Sequence, residues 1–199
     1  TGVYRPDRGV ITVRGVDTGW LTPDRIAGLG VSRTFQNIRL FKDMTVLENV
    51  KVGFQPIKRQ SILGAVLRSR RFRTEEQELE REALVLLELM GIANLRDARS
   101  GGLAYGQQRR LEIARALAAS PKVLLLDEPA AGTNDSEAAE LQALIRQIRA
   151  QFALTILVIE HDMPFVMGLA GRILVLDHGC TISSGTPDEV RKDPRVIEA

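Results

Sequence analysis

Three short apolar runs, Val123–Leu126, Leu154–Ile159 and Ile173–Leu176, limit what this chain can fold into more than any other feature. Each has the length of a strand and none presents a polar face. A strand that is apolar on both faces must be covered on both, which is the condition of a parallel sheet layered with helices. The intervening segments have the matching period. Leu141, Leu144, Ile145 and Ile148 mark one face of a helix, and Glu137 and Glu140 favour its positive amino-terminal end. Asp162 can cap a short helix with Pro164 in its first turn. Strand, helix, strand, helix, strand predicts an α/β fold with a mainly parallel sheet flanked by helices.

The rest of the chain adds elements around this unit. Val10–Val13 is a β-rich run that ends at Gly15, and Gly30–Gln36 contains a further strand running into a loop. Thr1-Gly2 reads as the end of a helix, with Gly2 in the left-handed C-terminal position. Residues 40–105 differ in character, with fewer β-branched runs and more charge. There Thr74 and Gln77 have the spacing of a capping box. Leu79, Ala83, Leu86, Leu87 and Met90 then form one helical face that stops at Gly91. Leu111, Ala114 and Ala118 repeat the spacing up to Pro121. Near the end, Asp177-His178-Gly179 turns the chain into Cys180–Ser183, and Thr186 with Glu189 opens a last helix.

Composition sets the bounds. A chain of 199 residues is one domain with room for a subdomain, and 44% hydrophobic with 26% charged residues suits a soluble globular protein. A net charge of +2 is too small a bias to argue for nucleic acid. The single cysteine, Cys180, excludes an intramolecular disulfide and a multi-cysteine zinc site. No apolar run approaches the ~20 residues that span a bilayer, and no signal-peptide pattern is visible.

Two segments carry chemistry. The run Val123-Leu124-Leu125-Leu126 ends abruptly in Asp127-Glu128-Pro129. Ligands of open α/β sheets sit beyond the carboxyl ends of strands, where one acid can hold Mg²⁺ and a second can orient an attacking water. Upstream, Leu103-Ala104-Tyr105-Gly106-Gln107 leads straight into a helix, leaving backbone N–H groups open to an anion. Taken singly, the first also suits a strand before a solvated turn, and the second a plain helix start.

Their order along the chain resembles the nucleotide-binding domain of ABC-type ATPases. Gln36 in Thr34-Phe35-Gln36-Asn37 corresponds to the Q-loop, and Leu103–Gln107 to the signature loop. Asp127 and Glu128 correspond to the Walker B aspartate and the catalytic glutamate. Ala131–Ser136 takes the D-loop place and His161 that of the switch histidine. Within the family, Leu-Ala-Tyr-Gly-Gln-Gln-Arg-Arg-Leu-Glu-Ile-Ala-Arg-Ala, Asp-Glu-Pro-Ala-Ala-Gly, Ile-Glu-His-Asp-Met and Arg33–Phe41 are similar to the ATPase subunits of branched-chain amino acid importers. Urea and amide importers, the lipopolysaccharide exporter and soluble ABC ATPases working on nucleic acid or ribosomes are the alternatives. The resemblance implies a P-loop NTPase-like sheet over residues 1–199, with residues 40–105 as a helical subdomain. It implies Mg²⁺ held through water by Asp127 and touched by Gln36, with Glu128 polarising water and His161 steadying the phosphoryl group. Ala104, Tyr105, Gly106 and Gln107 would close over ATP held by a second copy. The implied partners are a second ATPase subunit, identical or paired, two transmembrane permeases and, indirectly, an external solute-binding protein, with no nucleic acid. The implied place is the cytoplasmic face of the inner membrane, as a peripheral subunit.

Several positions depart from this pattern. The 199 residues contain no G-x-x-x-x-G-K-[ST] phosphate loop. The resemblance places that loop shortly before Thr1, so the expectation is a cassette truncated at its amino terminus, inactive by itself; the end at Ala199 also reads as early. Ala104 stands where many relatives have Ser, Asn134 where many have Asp, and Asp135 where most have Pro. Arg68, Arg70, Arg71 and Arg73 read as a solvated linker ahead of the Thr74 helix. Cys180 and Trp20 read as packing residues and His178 as an exposed turn residue. Among the apolar residues after Gln36, Val46 and Leu47 read as core, and Phe41 and Met44 as a surface for the permeases.

Overall fold

Strand β4 (Val123–Asp127) lies between β3 (Val31–Arg33) and β5 (Thr155–Ile159), parallel to both. The register sets Val31, Val123 and Thr155 side by side, and Asp127 opposite Ile159. Leu124 and Leu126 share one face of β4 and are buried, as the period of two requires. This computed structural model describes residues 1–54 and 70–199. Two compact units divide it: Thr1–Pro129 with Ile148–Ile159, and Ala130–Gln147 with Glu160–Ala199.

In the first unit a small antiparallel ladder, β1 (Thr12–Val13) with β2 (Val16–Asp17), precedes α1 (Pro23–Gly28), which buries Ile26. Among the described residues, the regular elements of 40–105 are all helical. They include α2 (Val46–Gly53), α3 (Arg70–Leu89) and the 3₁₀ turns Ala93–Leu95 and Ser100–Gly102. Leu79, Ala83, Leu86, Leu87 and Met90 are all buried, and Gly91 ends α3 with a φ of +70°. The Ile92 N–H reaches back to Leu87 O at 3.0 Å, which satisfies a carbonyl the helix leaves open. Helix α4 (Tyr105–Ala118) buries Leu111, Ile113, Ala114, Leu117 and Ala118.

Helices α2 and α4 meet where α2 carries Gly53. A Cβ built there would stand 2.3 Å from the carbonyl oxygen of Arg115 and 2.8 Å from the Ala118 Cβ. The start of α2 is a full capping box: the Glu48 N–H donates to Thr45 Oγ1 at 3.1 Å and the Thr45 N–H to Glu48 Oε2 at 2.8 Å. Behind it, the Asn49 amide is completely buried. It accepts from the Phe41 N–H at 3.0 Å and donates to the carbonyls of Phe41 and Thr45 at 3.1 and 2.9 Å. Ser100 Oγ donates to the same Phe41 carbonyl at 2.9 Å.

In the second unit β6 (Ile173–Asp177) and β7 (Cys180–Gly185) form an antiparallel hairpin. His178 and Gly179, at φ values of +46° and +79°, make its two-residue turn, the geometry that suits strand twist. Asp162 caps α6 (Met163–Leu169) by accepting from the Phe165 N–H at 2.9 Å. Thr186 caps α7 (Pro187–Lys192), and Asp193 caps α8 (Pro194–Glu198). Helix α5 (Asp135–Phe152) belongs to the second unit up to Gln147, and its Leu141, Leu144, Ile145 and Ile148 are buried.

Several expectations are corrected. Ile173–Leu176 pairs with β7 in a hairpin, and the third member of the parallel sheet is the earlier strand β3. The short, tight turn at His178-Gly179 brings β7 back antiparallel. Thr74 is not an N-cap, because α3 already runs from Arg70; arginine is a good helix former and carries the helix past the threonine. Arg70, Arg71 and Arg73 are therefore helical and not linker, while Arg68 lies outside the described residues. Cys180 is exposed, being the first residue of β7 at the mouth of the turn. Trp20 is 79% exposed, with the Arg5 guanidinium carbon 5.1 Å from its ring centroid.

Two outcomes follow from these packing contacts. Gly53→Ala improves helix propensity yet should lower stability by about 1–3 kcal/mol, since the new methyl meets backbone; equal or greater resistance to urea would contradict the close approach. The Thr45 N–H, and next the Thr45 hydroxyl, hold the Glu48 carboxyl below its ordinary 4.5. A carboxyl depressed in the folded state stabilises above its ordinary value and loses that contribution as pH falls. Glu48→Gln should therefore be less stable than the parent at neutral pH, and the gap should close as urea midpoints are followed down through about pH 4.5.

Candidate active site

The carboxyl ends of β3 and β4 bring five polar side chains together. The Thr34 N–H extends the ladder by bonding Leu125 O at 2.9 Å, and its hydroxyl accepts from the Asp127 N–H at 3.4 Å. Arg33 Nη2 donates to Asp127 Oδ2 at 2.7 Å. Two residues beyond Thr34 the chain is exposed, and Gln36 Nε2 donates to Glu128 Oε2 at 2.8 Å. Glu128 has a φ of +44°, in the left-handed region that side chains other than glycine rarely adopt. Its N–H is tied to Ile159 O at 2.8 Å, so the main chain leaves the sheet sharply just where the acids are.

The start of α4 lies in the same unit. Ala104, Tyr105 and Gly106 are exposed. Gln107 Oε1 reaches back to accept from the Ala104 N–H at 3.1 Å, and Gln108 Nε2 donates to Leu103 O at 2.8 Å. This is half a capping box: the glutamine is present, but an alanine at the cap position has no hydroxyl to return the bond. One turn on, Arg109 and Glu112 are buried as an ion pair, with side chains 3% and 1% exposed and 3.5 Å between Nη1 and Oε2. Glu112 Oε1 accepts from the N–H groups of Phe35 and Arg39, both at 3.3 Å. Burial pushes the Glu112 carboxyl above its ordinary value, opposed by those two N–H groups and by the charges of Arg109 and Arg115. The Phe35 ring also meets two cations, with the guanidinium carbons of Arg33 and Arg39 at 5.1 and 4.4 Å from its centroid.

The second unit places the other candidates. Asn134 Oδ1 accepts from the Glu137 N–H and Glu137 Oε2 from the Asn134 N–H, both at 3.0 Å, so the asparagine is the N-cap of α5. The Thr133 hydroxyl donates to Ala130 O at 2.7 Å. His161 is exposed at the end of the segment that leaves β5. Its main chain is held by Glu160, whose buried carboxylate accepts from the Ala130, His161 and Asp162 N–H groups at 2.7, 3.1 and 3.5 Å.

Gln36, Asp127 and Glu128 thus belong to one unit and one strand edge, and Ala104–Gln107, at the head of α4, belong to the same unit. His161 belongs to the other unit. Sequence reasoning missed Arg33, Arg109, Glu112 and Glu160. The signal for Asn134 was present as Asn134-x-x-Glu137, the spacing of a capping box. Among the described residues no group of three or more His, Cys, Asp or Glu side chains makes a closed metal cage. Two adjacent carboxylates and the carboxamide that meets Glu128 offer oxygen donors without a closed cage. That donor set suits Mg²⁺, which keeps waters and shares substrate phosphate oxygens.

Among the described residues no helix is long and apolar enough to cross a membrane. The family described as ABC transporter matches residues 1–131, and the one described as branched-chain amino acid ATP-binding cassette transporter matches residues 180–199. The high-affinity branched-chain amino acid transport ATP-binding protein LivG of Salmonella typhimurium is 43% identical over the whole chain, which spans 78% of that protein. BraF of Pseudomonas aeruginosa, of the same description, is 42% identical over the same shares. Among solved structures, the ADP conformation of MJ1267, an ATP-binding cassette of an ABC transporter, superposes with a TM-score of 0.81 at 31% identity, over 100% of this chain and 78% of that one. By its family match, its relatives and its structural neighbour, the chain belongs to the ABC transporter family.

Proposed function

We propose that the chain powers uptake of branched-chain amino acids as the ATPase subunit of an importer, working on the cytoplasmic face of the membrane. The single observation that carries the site assignment is the Gln36–Glu128 bond at 2.8 Å, formed beside Asp127 at the end of a buried central strand. The solute class is supported by the names of the LivG and BraF relatives, which match over the whole chain.

In this reading Glu128 accepts a hydrogen bond from the attacking water and draws its proton away, while Gln36 fixes the direction of the carboxylate. Asp127 and Gln36 are the groups that would hold Mg²⁺, Asp127 through water. When bound, Mg²⁺ supplies positive charge for the phosphate oxygens. His161 donates to the phosphoryl group as charge develops on it. Ala104, Tyr105, Gly106 and Gln107 offer main-chain N–H groups and the positive end of α4 to the ATP of a second subunit. The permeases dock on the segment after Gln36, where Phe41 is 50% exposed and Met44 half-buried. Val46 is fully buried and Leu47 half-buried like Met44, so Phe41 is the most exposed of the four. Residues 40–105 act as the helical subdomain that carries this surface.

Removing the Glu128 charge while keeping its shape isolates its role. Glu128→Gln should lower turnover of the ATPase-active protein by about 10²–10⁴-fold while leaving equilibrium ATP binding in place. Turnover equal to the parent's would dismiss Glu128 as the base. For the docking surface, Phe41→Asp should weaken capture of the permeases in a pull-down and leave basal ATP turnover largely intact. Undiminished capture and transport would remove this surface from consideration.

A further inference from the structure

A buried ion pair that could be replaced by apolar residues without loss of stability calls for a reason to exist. Arg109 and Glu112 are a buried pair, and apart from the Tyr105 hydroxyl the hydrogen bonds they make go to main-chain groups of two loops, while Arg109 Nε and Glu112 Oε2 make none. Arg109 Nη1 donates to Phe35 O at 3.1 Å, and Nη2 to Glu128 O at 3.3 Å and to the Tyr105 hydroxyl at 2.8 Å. Glu112 Oε1 takes the N–H groups of Phe35 and Arg39. Phe35 is therefore held at both its N–H and its carbonyl, and the next residue is Gln36. Glu128 is likewise held at both ends, by Ile159 O on its N–H and by Arg109 on its carbonyl. Its φ of +44° fixes where the side chain leaves the main chain, and relaxation toward negative φ would swing the carboxylate away from Gln36.

From these contacts we propose that the Arg109–Glu112 pair is the positioning element of hydrolysis, setting Glu128 and Gln36 against each other through their main chains. The proposal rests on the reading of Glu128 as the group that orients the attacking water. Neither Arg109 nor Glu112 touches substrate in this scheme. Arg109 acts on the Glu128 carbonyl and the Phe35 carbonyl together, a task for a planar fork and not for a point charge.

The test separates positioning from packing. The double variant Arg109→Met with Glu112→Leu removes both charges and should unfold at or above the parent's temperature. Its KM for ATP should stay within about twofold while kcat falls roughly 10–100-fold, the loss expected when a reacting group is displaced by about an ångström. Arg109→Lys keeps the charge without the fork and should lower kcat in the same direction; it decides alone if the double variant fails to fold. Added to Glu128→Gln, Arg109→Lys should change the residual rate by less than about twofold, because both losses act through one group. A stable double variant with the parent's kcat would reduce the pair to packing and overturn the proposal. So would losses that multiply in the Glu128→Gln background. Parental turnover in Glu128→Gln alone overturns the reading of Glu128 and this proposal with it, whereas a slow Glu128→Gln beside a fully active double variant overturns this proposal only.

Discussion

Parallel pairing of β4 with β3 on one side and β5 on the other sets Asp127 and Glu128 beside the loop that carries Gln36, at one edge of the first unit. Because the three strands run in one direction, their carboxyl ends form a single edge. The residues leaving that edge are Thr34 onward, Asp127-Glu128 and the carbonyl of Ile159. A shift of β4 by one residue would exchange the buried Leu124 and Leu126 for Val123, Leu125 and Asp127, and would carry the acidic side chain toward the apolar layer. Burial of the two leucines therefore protects the register, and the register delivers the acids to the edge.

The same edge shows how charge is managed around the strand-end carboxylates. Arg33 meets Asp127 at the surface of the sheet, and Arg109 meets Glu112 inside the layer behind it. The inner pair is dry and directed, with hydrogen bonds to main-chain groups of Phe35, Arg39 and Glu128. In the second unit Glu160 has a similar habit, gathering three N–H groups of the segments at Ala130 and His161. In both units buried carboxylates order loops by accepting charge-assisted hydrogen bonds from main-chain donors.

Much of this was legible in the sequence. The apolar run ending in Asp127-Glu128 located β4 and the acids together, and the period of Leu79–Met90 and Leu141–Ile148 gave the buried faces of two helices. What was not legible has a common cause: a one-dimensional pattern reports local period and not distant partners. Arg109 and Glu112 at a separation of three look like a solvated helix face, and only the arrival of Phe35 and Arg39 overhead makes them interior. Ile173–Leu176 has the composition of a central strand, yet the two-residue turn after Asp177 fixed its partner as β7. Cys180 and Trp20 have the chemistry of core residues but occupy a strand start and a loop. Thr74 has the spacing of a cap, but caps require the preceding residue to leave the helix, and Arg73 stays in it.

The buried amide of Asn49 has a consequence for how such a subunit changes over time. Asn49 and Ser100 fix the path of the chain at Phe41 and Thr45 entirely through main-chain atoms. The exposed side chains on that path carry almost none of the load that shapes it. Their identities are free to drift with whatever surface they meet, while the curve that presents them is inherited intact. On the docking and site proposed above, substitutions at this surface re-match the cassette to a new membrane partner and leave the edge of Asp127 and Glu128 undisturbed.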